Sequence, residues 1–195
     1  MTIILEMYIT LAPIIFAGIL NMAWCKSSFA GPINKPIDNY LTLKDKARLF
    51  GDNKTWKGFL GIIILAIICS VLWGFICRTG YLLEHNYFYA SYKNTILYNT
   101  LTGFLLGLAY GISELPNSFM KRRLGISPGK PAKGLKSVFF VFMDQADSLF
   151  GCVLVICLFY EMSFIFYTAY VLLGACTHLV INTLLYFLKL RKNMF

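Results

Sequence analysis

Residues 58–77 read GFLGIIILAIICSVLWGFIC, twenty residues closed off by Lys57 on one side and Arg78 on the other, with no charge between them. A helix rises 1.5 Å per residue, so about 20 apolar residues cross a hydrocarbon layer about 30 Å thick. This stretch therefore reads as a membrane span, and the rest of the chain follows the same pattern. Further charge-free runs lie between Lys93 and Glu114, Asp147 and Glu161, and Glu161 and Lys189. The first and last of these predict spans at about 94–115 and 165–188, the latter carrying His178 and Asn182 as its strongly polar side chains, and 137–160 is also of spanning length although it holds Asp144 and Asp147 in its first half. The N-terminal stretch 3–24 completes a set of five if Glu6 lies near its outer end and Pro13 is tolerated as a kink. It is long and lacks a basic leader, so it reads as a span rather than a signal peptide.

Composition agrees. Of 195 residues 58% are hydrophobic and 14% charged, with mean hydropathy +0.66, whereas soluble domains carry about 25% charged residues. A water-soluble enzyme is excluded on that ground. One membrane domain covering 1–195 is expected, all-α, with no repeat or second domain. The six cysteines form no Cys-x-x-Cys pair and lie mostly in apolar runs, which argues against a disulfide scaffold or a zinc site.

Charge sets the orientation. Sixteen of the eighteen Lys and Arg fall in 26–57, in 116–136 or after the last span, leaving only Arg78 and Lys93 elsewhere. By the positive-inside rule the N-terminus is outside and the loops 26–57 and 116–136 are cytoplasmic. The external loop 78–93, with Tyr81, Tyr87, Phe88, Tyr89 and Tyr92, suits an interfacial aromatic belt.

Three polar clusters could carry chemistry. Asn53-Lys54-Thr55 stands before the second span, where glycines, a lysine and a hydroxyl at a helix N-terminus suit a phosphate. It also suits a helix cap with a positive-inside anchor, and it lacks P-loop spacing. Asn117, Ser118, Lys121, Arg122 and Arg123 precede a Pro128-Gly129-Lys130 turn. Adjacent cations can grip a polyphosphate and the turn can fold the loop over it, although basic loops also bind anionic headgroups or merely fix topology. Asp144 and Asp147, in the fourth span, are three apart and share a helix face. Carboxylates at that depth need a cation or a cationic partner, and Mg²⁺ is commonly held by one or two carboxylates plus phosphate oxygens; pairing with a loop Lys or Arg is the structural alternative. His178 and Asn182, four apart on the last span, suit an interhelical hydrogen-bonding pair that could also touch a phosphate.

The motifs resemble one family. Pro36-Ile37-Asp38, then 48–58 (RLFGDNKTWKG), Glu114-Leu115-Pro116-Asn117-Ser118 into Lys121-Arg122-Arg123-Leu124-Gly125-Ile126, Pro128-Gly129, Asp144-Gln145-Ala146-Asp147, and Thr177-His178-Leu179 with Asn182 are similar, in register, to the CDP-archaeol synthases. Those are relatives of the CDP-diacylglycerol synthases. The resemblance implies a five-helix enzyme of the cell's inner membrane with its active site facing the cytoplasm, where a lipid phosphate and CTP give CDP-lipid and pyrophosphate. The lipid is an isoprenoid ether glycerol phosphate or phosphatidate. It further implies Asp144 and Asp147 as Mg²⁺ ligands and catalytic groups together with Lys121 and Arg122. Lys54 and Arg123 would hold phosphates, and Asn53, Thr55, Asn117 and Ser118 would add polar contacts. Gly129, Lys130, His178 and Asn182 complete the expected substrate site. CTP, a lipid phosphate and the bilayer are the expected partners, without nucleic acid, and a homodimer is compatible with the chain. The rival readings are a small transporter, an anionic-lipid-binding scaffold, or a CDP-alcohol phosphotransferase. That last family wants Asp-x-x-Asp-Gly-x-x-Ala-Arg, whereas Ser148-Leu149 follow Asp147 here.

Overall fold

The computed structural model describes residues 3–78, 80–130, 132 and 134–187. Lys133, counted in the second loop, and Lys189, Arg191 and Lys192, counted after the last span, lie outside the described residues. The long helices are α1 (Ile3–Lys26), α2 (Trp56–Ile76), α4 (Ile96–Arg123), α5 (Leu135–Cys157) and α6 (Phe164–Phe187). A short helix, α3 (Tyr81–Glu84), lies between α2 and α4. All five long helices are long and apolar enough to cross a membrane, and no strand forms among the described residues.

Helix ends follow local chemistry. The Thr55 hydroxyl accepts the Gly58 amide at 3.2 Å and caps α2, and Thr95 does the same for α4 through Tyr98. The helix α4 does not stop near 115. It runs on through Pro116 to Arg123, so residues 116–123, expected in a loop, are its last two turns. A proline inside a helix forfeits one backbone bond, which neighbouring groups in a membrane protein can offset.

Packing runs α1 on α2, α2 on α4, α4 on α5 and α5 on α6, which makes α4 central. Close approach is what centres it. A Cβ on Gly103 or Gly107 would fall 2.7 or 2.6 Å from α2 backbone atoms, and one on Gly151 of α5 would fall 2.7 Å from the Ala109 carbonyl. Small residues four apart let backbones touch where lipid offers no hydrophobic drive.

In the loop 78–93, expected as an aromatic belt, Tyr81 and Tyr92 are exposed, but two of the five named rings turn inward. Tyr87 and Phe88 are buried, the Tyr87 ring stacks on Tyr160 at 4.3 Å, and the Tyr87 hydroxyl donates to Glu6 at 3.1 Å. These rings plug that end of the bundle instead of lying at the lipid interface. All six cysteines are free.

Candidate active site

At the opposite end, the loop 27–55 folds without regular strands around one carboxylate. Asp38 is buried and accepts the amides of Tyr40, Phe50 and Gly51 at 2.9–3.2 Å, plus both Nε and Nη2 of Arg48. Burial alone would raise its pKa. The guanidinium and the three amides outweigh burial and hold the carboxyl at about 2. Isolated bridges Pro36 to Thr55 and Thr42 to Arg48 close the loop. Gly51, at φ +98°, leaves no room for a Cβ, which would stand 2.8 Å from Pro128. The two basic loops therefore touch, and the first presents Asn53 and Lys54 inward.

Beneath them opens a cleft of about 540 Å³ bounded by α1, α4, α5 and α6. It brings together Asn53, Lys54, Asn117, Ser118, Lys121, Arg122, Gly129, Lys130, Asp144, Asp147, His178 and Asn182, from segments more than a hundred residues apart. At its centre the Asn117 Nδ2 donates to Asp144 Oδ1 at 2.7 Å and to Asp147 Oδ2 at 2.8 Å. A single amide thus gathers both carboxylates. Lys121 Nζ pairs with Asp144, as the structural alternative required, and Lys54 Nζ pairs with Glu114. Burial disfavours the Lys54 ammonium, but Glu114, Asp147 and Asp144 together raise its pKa above the ordinary lysine value, so it stays charged. On the far wall, Gln145 Oε1 accepts from Asn182 Nδ2 at 2.7 Å, and the Gln145 carbonyl lies 3.2 Å from His178 Nδ1. This is the interhelical pairing read from their spacing.

Two expected contacts point elsewhere. Arg123 leaves the cleft, pairs with Asp45 at 2.7 Å and donates to the carbonyls of Ala47 and Arg48. On a helix, consecutive residues are about 100° apart, so Arg123 cannot follow Lys121, and it braces the first loop instead. Thr55 spends its hydroxyl on the α2 cap and lines only an adjoining compartment. Sequence reasoning assigned no role to Glu114, although it lies one turn before Asn117 and Ser118 on α4. Tyr110, a further turn back, lines the same cleft. Lys57 was counted only as a loop cation. It is 1% exposed, with Nζ 2.6 Å from the Ser27 carbonyl.

The donor set suits Mg²⁺. Asp144 and Asp147 offer oxygen alone, and the Asn117 amide that joins them has its Oδ1 buried without a partner. No group of three or more His, Cys, Asp or Glu suited to a metal is found among the described residues. Mg²⁺ commonly takes one or two carboxylates and completes its shell with water and phosphate. Arg122 Nη1 is likewise buried without a partner, as a donor facing a phosphate site would be.

Five helices long and apolar enough to cross a membrane, around a cleft lined by carboxylates, cations and amides, define an integral membrane protein with a polar site at one end of its bundle. The chain belongs to the CarS-like CDP-archaeol synthase family, which matches residues 2–195. It is 29% identical over 181 residues to a CDP-archaeol synthase of Thermofilum pendens, covering 92% of this chain and 72% of that one. It is 31% identical over 165 residues to that of Pyrobaculum islandicum, covering 83% and 82%. With the Pyrococcus furiosus protein it shares 38% identity over 100 residues, about half of either chain. A solved structure described as an intramembrane enzyme for archaeal membrane lipids biosynthesis has the same fold, with TM-score 0.63 and 23% identity over 92% of this chain and 94% of that one.

Proposed function

We propose that this protein is a CTP:lipid-phosphate cytidylyltransferase acting on an isoprenoid ether glycerol phosphate or a phosphatidate, with its cleft facing the cytoplasm. The observation that carries the reading is the pair Asp144 and Asp147, gathered by Asn117 and opposed across one cleft by Lys54, Lys121 and Arg122. A phosphate oxygen of the lipid attacks the α-phosphorus of CTP, a new P–O bond forms, and the bond to the β-phosphate oxygen breaks to release pyrophosphate. The lipid phosphomonoester has a second pKa near 6, so it arrives largely ionised and needs no strong base. Catalysis then reduces to positioning and charge neutralisation.

Each residue has a place in that scheme. Asp144 and Asp147 would hold Mg²⁺, which supplies charge neutralisation on the phosphates when bound. Lys121 is neutralised by Asp144 in the structure and turns to a phosphate once Asp144 is otherwise engaged. Arg122 offers a forked contact to two oxygens. Asn53 and Lys54, brought in by the first loop, close over the triphosphate from the side of Gly129 and Lys130. A lipid-binding scaffold would not need two carboxylates held side by side on one amide. The deciding experiment gives purified protein radiolabelled CTP, Mg²⁺ and a panel of ester and ether lipid phosphates. A CTP- and Mg²⁺-dependent lipid product is expected, and its absence across the whole panel would refute the proposal.

A further inference from the structure

The stretch 40–49 exposes apolar side chains that no spanning face accounts for. Tyr40, Leu41 and Leu43 are 64%, 56% and 40% exposed, yet they lie between α1 and α2, outside the segments that meet lipid chains. Single exposed apolar residues are ordinary, whereas a cluster of them marks a surface that is covered in use.

Local structure presents this cluster on one face. The Leu43 amide donates to the Ala47 carbonyl at 3.1 Å and the Leu49 amide to the Leu41 carbonyl at 3.0 Å, flanking the antiparallel bridge between Thr42 and Arg48. Lys44, Asp45 and Lys46 make a three-residue tip, closed by Lys46 in the left-handed region at φ +60°. Side chains alternate along paired extended segments, so Leu41, Leu43, Ala47 and Leu49 fall on one face and Thr42 and Arg48 on the other. Arg48 carries that second face back to Asp38. Arg123, at the end of α4, holds Asp45 at 2.7 Å and donates to the carbonyls of Ala47 and Arg48. The turn is thus bolted to the cleft end of the bundle, with Leu41 and Leu43 left uncovered.

Charge names the occupant. Lys44 and Lys46 are exposed and form no ion pair among the described residues. Asp45, the acid of the tip, is taken by Arg123, so the tip presents uncompensated positive charge beside leucines. A leaflet with anionic headgroups is complementary on both counts, since its phosphates meet the ammonium groups and its acyl boundary takes the apolar side chains. The turn stays beside that leaflet, because Arg123 fixes it to α4 and the chain enters a spanning helix again at Trp56.

We propose that the turn 40–49 is a docking surface for the leaflet on the cleft side, with Leu41 and Leu43 inserted at the headgroup boundary and Lys44 and Lys46 on the phosphates of anionic lipids. The loop that docks also carries Asn53 and Lys54 into the cleft, so docking sets its position against the membrane and gathers anionic lipid beside the cleft. That the gathered lipid includes the substrate rests on the cytidylyl-transfer reading; the docking itself does not.

The test uses the full-length protein in bilayers of neutral lipid alone and of neutral lipid with about a third anionic phospholipid. In the first arm, Leu43→p-benzoylphenylalanine is irradiated and its adducts are identified by mass spectrometry, with Thr42→p-benzoylphenylalanine as the control on the other face. Position 43 is expected to yield lipid adducts in the anionic bilayer, several-fold more than position 42. In the second arm, hydrogen exchange of the wild-type protein across 40–49 is expected to slow by about tenfold when anionic lipid is added. It should regain its rate in about 1 M salt, where charges are screened within about 3 Å, and the double variant Lys44→Glu with Lys46→Glu should not respond to the lipid. Adducts from position 43 to a second copy of the chain, no excess of lipid adducts over position 42, or wild-type exchange indifferent to anionic lipid would overturn the proposal. Neither arm needs turnover, so the result is independent of the transfer reaction, and the wild-type exchange decides even if a variant fails to fold.

Discussion

Replacing Asp38 by Asn keeps the shape of the side chain and removes the charge around which the first loop is wound. Arg48 then loses the carboxylate it forks onto, and the amides of Tyr40, Phe50 and Gly51 lose a charged acceptor. A carboxyl held at about 2 against an ordinary 3.8 contributes about 2.5 kcal/mol to the closed loop, roughly sixtyfold in its closed-to-open ratio. Arg48 is only partly buried and keeps Asp52 as a partner at 2.9 Å, so the larger penalty of an uncompensated buried charge does not apply. The effect is local, because the loop lies outside the helical core. Hydrogen exchange followed by mass spectrometry should show peptides within 36–55 exchanging about sixtyfold faster in Asp38→Asn, with the helices unchanged. The sign of the pH dependence is fixed as well. The folded pKa lies below the unfolded one, so the stabilisation is complete above about pH 4 and is lost as pH falls through about 2. The wild-type loop should open across that window, and the variant should lack the step. Because the loop carries Asn53 and Lys54, KM for CTP should rise more than kcat falls. Wild-type exchange rates across 36–55 in the variant would refute the latch.

Asp144→Asn and Asp147→Asn should each reduce turnover by about a thousandfold, and Mg²⁺ with CTP should no longer raise their Tm. Lys121→Ala should raise KM for CTP, whereas Arg123→Ala, which removes a partly exposed pair with Asp45 worth about 1 kcal/mol, should mainly speed exchange in the first loop. Equal effects on KM would count against their separation. Glu114→Gln withdraws the strongest charge favouring the Lys54 ammonium, so the pKa of Lys54 falls. A KM-versus-pH profile for CTP should then lose affinity at lower pH than wild type does, and an unmoved alkaline limb would remove Lys54 from the triphosphate site.

The five spans were legible because charge is absent or sparse over lengths that match a bilayer, and helices are the only simple way to satisfy the backbone there. The end of α4 was not. Pro116 and three adjacent cations carry the composition of a loop, yet the helix continues through them, since side chains leaving the membrane no longer need to be apolar. That misreading had a direct consequence for the site. In a loop, Lys121, Arg122 and Arg123 could all reach one ligand; on a helix they diverge, and Arg123 turns to Asp45. The Asp144 and Asp147 pair was visible because both residues lie within one helical turn. The Lys54 to Glu114 pair, sixty residues apart in sequence, and the winding of the first loop about Asp38 depend on tertiary contacts that no local spacing encodes.

The ionic pattern of the cleft explains how a site so rich in cations can lie against a bilayer. Lys26, Lys54, Lys121, Arg122 and Lys130 line it beside Glu114, Asp144 and Asp147, and two of the lysines are paired with carboxylates. Desolvated like charges repel strongly at low dielectric, so this pairing lowers the cost of holding the cations together before any anion arrives. It also sets a condition on the ligand. A bare triphosphate must displace carboxylates from Lys54 and Lys121 and would leave Asp144 facing phosphate oxygens. A triphosphate that brings its own divalent cation gives Asp144 and Asp147 a replacement partner as it takes the lysines, so the exchange keeps every charge in the cleft compensated. On the proposed reading, the same carboxylates that would oppose a bare triphosphate would make the site select a metal-bound nucleotide.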